Sequence, residues 1–278
     1  MFGSAVIVFR EVLEAALLVG IVAAATRAIP GRNRWLAAGI AAGIAGAAIV
    51  ALGTDRIAGM ASGVGQELFN AVVLGIAVVM LAWHNLWMSS HGAALAANAR
   101  NVGKQVSDGS RERSVLLIVV GLAVLREGSE TVLFLYGIAA SEGGASWPML
   151  AGGLIGIAGG IVVGYALYAG LLRIPLRWFF TATGLLVLFL AAGMASQAAR
   201  FLIQADVLPS LATPLWDTSA LLPQGSIVGV LLHSLVGYEA RPAGMQIVFY
   251  VAVLFAIGVG MTWINKSGPR SARTRAAS

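Results

Sequence analysis

The sequence predicts an all-α polytopic membrane protein of seven transmembrane helices, with its N-terminus outside and its C-terminus in the cytoplasm. Three observations carry that expectation. Of the 278 residues, 59% are hydrophobic and only 11% charged, against about 25% charged in an ordinary soluble domain. Seven apolar runs are long enough to cross a bilayer, which takes about 20 residues. The basic residues gather in alternate connections between those runs.

The runs cover residues 2–25, 35–53, 68–88, 114–140, 148–172, 178–201 and 244–264. The first is broken only by Arg10, Glu11 and Glu14, which also rules out a signal-peptide core there. The third ends on His84 and Asn85, flanked by Trp83 and Trp87. That pattern reads as a polar and aromatic belt at the membrane interface, with an inner exit site as the alternative. The fourth run carries Arg126, Glu127 and Glu130. In the fifth, Gly152, Gly153, Gly156, Gly159 and Gly160 form small-xxx-small faces for close helix packing. Trp147, Trp178 and Trp263 stand at helix ends as interfacial anchors.

Orientation follows from the connections. Arg27, Arg32 and Arg34 lie in the first, Arg100, Lys104, Arg111 and Arg113 in the third, Arg173 and Arg177 in the fifth. Lys266, Arg270, Arg273 and Arg275 lie in the tail. Thirteen of the 18 basic residues thus share one side, which the positive-inside rule makes cytoplasmic. This accounts for the formal charge of +6 without nucleic acid as a partner. The outer connections hold Asp55, Glu67, Glu142, Asp206, Asp217 and Glu239, a solvated surface that would also concentrate cations. With no Cys, disulfides and thiolate metal sites are excluded.

Between the runs, residues 89–113 read as a polar loop with room for a short interfacial helix. Residues 227–235 are apolar but too short to span, and read as re-entrant or interfacial. His91 and His233 read as structural. The chain therefore divides into a first three-helix repeat (1–113), a second (114–204), an outer segment (205–243), a seventh helix (244–264) and a basic tail (265–278). The repeat is inferred from one motif. Arg10-Glu11-Val12-Leu13-Glu14 returns as Arg126-Glu127-Gly128-Ser129-Glu130, 116 residues on (126 − 10). Three helices separate the copies, so the second unit runs upside down relative to the first, as in many secondary transporters.

At 100° per residue, the Arg and both Glu of each copy fall on one arc of roughly 100°. Six charges at helix centres cost on the order of 15–20 kcal/mol before pairing. Arg10–Glu14 and Arg126–Glu130 can pair at i,i+4, which lowers the cost without giving a reason for the groups. Buried salt bridges that fix packing are one reading, and an anion path along the arginines another. Four Glu against two Arg leave a net −2 if all are ionised, and carboxylates suit hard cations. A cation path with Glu11, Glu14, Glu127 and Glu130 as metal ligands, supported by Arg10 and Arg126, fits best. Glu67, at the outer start of the third helix, is a candidate ligand at the mouth of that path, or an ordinary acid at a helix N-terminus.

With these motifs the chain resembles the oxidase-linked iron permeases, the family of the fungal high-affinity iron permease and the bacterial EfeU-type uptake permeases. The resemblance runs over nearly the whole chain, including Gly237-Tyr238. It implies a transporter in the inner membrane that imports iron and binds no permanent cofactor. The ion would be Fe3+, after an outer partner has oxidised Fe2+: a multicopper oxidase in fungi, periplasmic proteins including a haem peroxidase in bacteria. Bacterial members often carry His near the outer end of helix six, where this chain has Ser196-Gln197. Rival readings are transport of another metal such as manganese or lead, a membrane di-metal oxidase using the same carboxylates, or an assembly subunit. The oxidase reading lacks the Glu-x-x-His spacing usual in such sites.

Overall fold

A computed structural model describes residues 1–61, 65–142, 144–170 and 176–267. Eight helices and no strand are present among the described residues: α1 (Phe2–Ala25), α2 (Arg32–Ala61), α3 (Gln66–Ser107), α4 (Ser114–Glu142), α5 (Trp147–Tyr168), α6 (Leu176–Gln204), α7 (Ile227–Val236) and α8 (Gly244–Ser267). Arg173 and residues 268–278 of the basic tail lie outside the described residues, as do the side chains of Asp55, Arg56, His91, Glu142, Arg177 and Trp178.

Five helices are long and apolar enough to cross a membrane: α2, α3, α5, α6 and α8. The chain is therefore a multi-pass membrane protein. Helices α1 and α4, of 24 and 29 residues, match them in length. Their motifs set them apart, each placing three charges in the middle of an otherwise apolar run.

One expectation needs correction. Residues 89–107 are not a loop but a continuation of α3, which runs unbroken for 42 residues. At 1.5 Å per residue that is about 63 Å, twice the hydrocarbon thickness. The extension is held because Ala99, Val102 and Val106 recur at helical spacing and pack on Val22 of α1, Leu36 of α2 and Leu116 and Val120 of α4. The short apolar stretch 227–235 is α7, a ten-residue helix capped by the Ser226 hydroxyl, which accepts from Gly229 N–H. It stops at Gly237, whose φ of 74° is left-handed. There the chain passes so near α6 that a Cβ at Gly193 would lie 2.8 Å from Gly237 Cα. Tyr250 of α8 donates its hydroxyl to Val236 O.

The core joins α1, α3, α4, α6 and α8 through Ile7, Leu74, Leu81, Phe134, Val187 and Ile257. Helices α2 and α5 lie on its flanks, α2 along α4 and α5 along α1. Both flanking contacts are made by small residues. Gly152, Gly156, Gly160 and Gly164 follow one another down α5 and meet Ser4, Ala5, Phe9, Val12 and Ala16 of α1. On α2, Gly39, Gly43 and Ala47 meet Leu117, Gly121, Val124 and Gly128 of α4. A Cβ at Gly156 would lie 2.7 Å from Ala5 O, and one at Gly43 would lie 2.8 Å from Gly121 O. Backbones this close gain dispersion that lipid chains cannot match.

Candidate metal centre

The two motifs meet in the middle of the bundle. On α1, Arg10 Nε lies 3.0 Å from Glu14 Oε1, and Arg10 Nη1 lies 3.8 Å from Glu11 Oε1. On α4, Arg126 Nε lies 3.1 Å from Glu130 Oε1 and 3.9 Å from Glu127 Oε1. Each copy thus pairs its arginine tightly with the carboxylate at i+4 and loosely with the one at i+1. The looser pair, Glu11 and Glu127, are buried and lie on the side where α1 faces α4.

Burial separates the copies. Arg10, Glu11, Glu14 and Glu127 are all at most 3% exposed, while Glu130 is 16% and Arg126 34% exposed. The Arg126 guanidinium lies over the Trp87 ring, 4.3 Å from its centroid, a cation–π contact that shields the more open side.

His84 of α3 stands between the motifs, 2% exposed. Its Nε2 lies 3.4 Å from Glu14 Oε2 and 3.9 Å from Glu11 Oε2, and its Nδ1 contacts Glu130 Oε2. This corrects the sequence reading of His84 and Asn85 as an interfacial belt. Both are buried, and Asn85 donates to Gly184 O across the α3–α6 contact. Because α3 continues far past Trp87, His84 sits inside the bundle rather than at an end. The signal for it was present, since a titratable side chain inside a spanning run is a functional candidate by default. The flanking tryptophans argued the other way, yet Trp87 turned out to cover Arg126.

One ligand atom each from Glu11, His84, Glu127 and Glu130 lies within 4.8 Å of the others. Glu14 stands beside this group, against His84 and Arg10. Both oxygens of Glu11 and Oε2 of Glu127 are buried and accept no hydrogen bond among the described residues. Four carboxylates against two guanidinium groups and one imidazole leave an arrangement that could hold a cation. Apolar side chains close on it from either end of the helices: Ile7, Phe134, Ile138 and Met194 on one side, Val22, Leu116 and Val120 on the other.

The other candidates lie elsewhere. Glu67 is exposed in the first turn of α3, about 25 Å along the helix from His84. Gln197 is buried and donates to Glu239, and Ser196 is buried beside it. Asp217 is exposed and paired with Arg241 at 2.8 Å. His233 is tied by Nδ1 to Tyr238 O at 2.7 Å, in keeping with a structural role.

Fold and site together define a polytopic membrane protein with a buried cluster of carboxylates and one imidazole that could hold a metal ion. The chain belongs to the iron permease FTR1 family, whose model matches residues 1–267. It is similar to the ferrous iron permease EfeU of Escherichia coli O6:K15:H31 (strain 536 / UPEC), at 32% identity over 99% of this chain and all of the relative. The ferrous iron permease EfeU of Shigella sonnei (strain Ss046) matches to the same extent. That of Shigella flexneri is 32% identical over 75% of this chain and 88% of its own length. No solved structure matches. The family and these relatives are permeases, so the protein is a transporter and the di-metal oxidase reading falls.

Proposed function

We propose that the protein imports iron through the inner membrane, passing the ion between Glu11, Glu14, Glu127 and Glu130. The observation that carries this reading is that both motifs converge on one buried volume, where one ligand atom each from Glu11, His84, Glu127 and Glu130 lies within 4.8 Å of the others. Arg10 pairs with Glu14 and Arg126 with Glu130, which fixes the direction in which those carboxylates point. The two arginines also moderate affinity, so that an ion able to enter can leave. A membrane potential negative inside favours inward movement by about 2.3 kcal/mol per charge per 100 mV.

In this reading α1 to α6 and α8 are the seven spans, N-terminus outside, and α1–α3 and α4–α6 are inverted repeats. Support comes from the packing register. Gly39 meets Leu117 and Val120 as Gly152 meets Met1 and Ser4, and Gly43 meets Gly121 and Val124 as Gly156 meets Ala5 and Val8. The partners on α4 and α1 differ in each case by 116, the same offset as the motifs. An exchange of α1 with α4 and α2 with α5 therefore maps one flanking contact onto the other.

Two readings of the ion remain. The family resemblance implies Fe3+ delivered after oxidation by an outer partner. With all four Glu and both Arg ionised and His84 uncharged, the site carries −2, which a divalent ion cancels and a trivalent ion over-compensates. The relatives are ferrous iron permeases by name, which points the same way.

Uptake of radioactive iron into proteoliposomes holding the purified protein tests the reading. The assay is run under reducing and oxidising conditions, with manganese and lead as competitors. Accumulation of iron in preference to manganese and lead supports it. Preferential uptake of another metal, or none of iron, contradicts it.

A further inference from the structure

We propose that His84 is itself a metal ligand, and that its nitrogen makes the centre select divalent transition ions over Ca2+ and Mg2+. The inference rests on the transport reading above and deepens it by adding a residue that neither motif contains.

His84 faces carboxylates on both edges of its ring. Nδ1 contacts Glu130 on α4, and Nε2 looks toward Glu14 and Glu11 on α1. With Nδ1 turned to Glu130, Nε2 is turned to Glu14 and Glu11, so an ion seated on that edge would meet an imidazole nitrogen and carboxylate oxygens together. Carboxylate, imidazole and metal in a row is the usual way a metal-bound histidine is oriented. The ring has little freedom to do otherwise. It is 2% exposed, its edge stands against Phe134 at 6.5 Å between centroids, and the neighbouring Asn85 is tied to Gly184 O. Glu130, on the Nδ1 edge, then orients the ring, and an ion on Nε2 is shared with Glu11 and Glu14, whose oxygens stand on that edge.

The ligand type decides selectivity. An all-carboxylate centre suits Ca2+ and Mg2+, which are abundant and take oxygen ligands. Imidazole suits iron and its neighbours in the first transition row and adds little for the hard divalent ions. One nitrogen among carboxylates therefore biases the centre toward ferrous iron without the tight grip of a thiolate, and this chain has no Cys to supply one.

The test compares wild type with His84→Asp, which keeps a donor but makes it oxygen. In proteoliposomes, excess Ca2+ or Mg2+ is expected to leave wild-type iron uptake unchanged. The same ions should inhibit His84→Asp at concentrations lower by about tenfold or more, the usual scale of a ligand-sphere change. A variant that transports iron with wild-type indifference to Ca2+ overturns the inference.

A second measurement needs no variant. Pulsed electron paramagnetic resonance on wild-type protein loaded with Mn2+ should show coupling to an imidazole nitrogen. An all-oxygen shell overturns the inference whatever the fate of His84→Asp, because an imidazole acting only as a counter-charge to Glu14 and Glu130 gives no such coupling. Wild-type vesicles that carry iron around an all-oxygen shell sink this inference alone. Vesicles that carry none sink the transport reading, and this inference with it.

Discussion

Glu14 and Glu130 meet across a single imidazole ring, Glu14 Oε2 lying 3.4 Å from Nε2 of His84 and Glu130 Oε2 touching its Nδ1. The two carboxylates end motifs 116 residues apart, on helices that run in opposite directions in the proposed topology. One residue of α3 therefore couples the halves of the protein. The arrangement gives the charges of both motifs a common purpose that neither would have alone.

The two arginines should differ in their structural weight. Arg10 is 3% exposed and paired at 3.0 Å, so Arg10→Met leaves buried carboxylates uncompensated and should cost about 3–5 kcal/mol. Arg126 is 34% exposed and rests on Trp87, so Arg126→Met should cost distinctly less. Thermal unfolding in detergent, followed side by side, checks the order. Equal losses would count against the asymmetry of the site.

Close packing of the flanks predicts a positional effect among glycines. Gly156→Leu must push α5 off α1, since even a Cβ would lie 2.7 Å from Ala5 O, and should destabilise by about 1–3 kcal/mol. Gly153, three residues earlier, has nothing within 4 Å of its added Cβ, so Gly153→Ala should be neutral or slightly stabilising. Melting temperatures of the two variants make the comparison.

The chain's lack of Cys offers a clean test of topology. Leu221→Cys lies in the outer segment at a position 89% exposed, and should react with an impermeant maleimide on intact cells. Ser110→Cys, exposed between α3 and α4, should react only after the membrane is opened. The reverse pattern would invert the proposed orientation.

In the outer segment, Arg241 and the Ser219 hydroxyl and N–H hold Asp217 well below the usual carboxylate range. A depressed carboxylate stabilises fully above its unfolded value of about 3.9 and loses that contribution only as pH falls through the lower folded value. Hydrogen exchange at Leu215 and Thr218, whose N–H groups bond Pro242 O and Ala240 O, should therefore be faster in Asp217→Asn than in wild type. The ratio should stay constant from about pH 7 to pH 5 once intrinsic exchange is corrected. A ratio that collapses on acidification would contradict the assignment.

Much of this was legible in the sequence, because lipid is a demanding solvent. Apolar length alone marks α2, α5, α6 and α8 within a few residues at the apolar core of each. The charge cost alone singles out Arg10–Glu14 and Arg126–Glu130. What sequence could not show was lateral placement. The two motifs fall on inward arcs in the helical projection, but only packing brings Glu11 beside Glu127. The extension of α3 was hidden because its polar face dominates the composition, while the stripe of Ala99, Val102 and Val106 is short and small. His84 was misjudged for the same reason, since its depth depends on where α3 ends.

The central claim is that both motifs build one path. Radioactive iron uptake into proteoliposomes with Glu14→Ala, Glu130→Ala and the double variant tests it most directly, with membrane insertion and monodispersity checked for each. Each single change should reduce uptake by about tenfold to a hundredfold, and the double should be little worse than either, because residues that act as a unit are not additive. Near-normal uptake in both single variants would contradict the account.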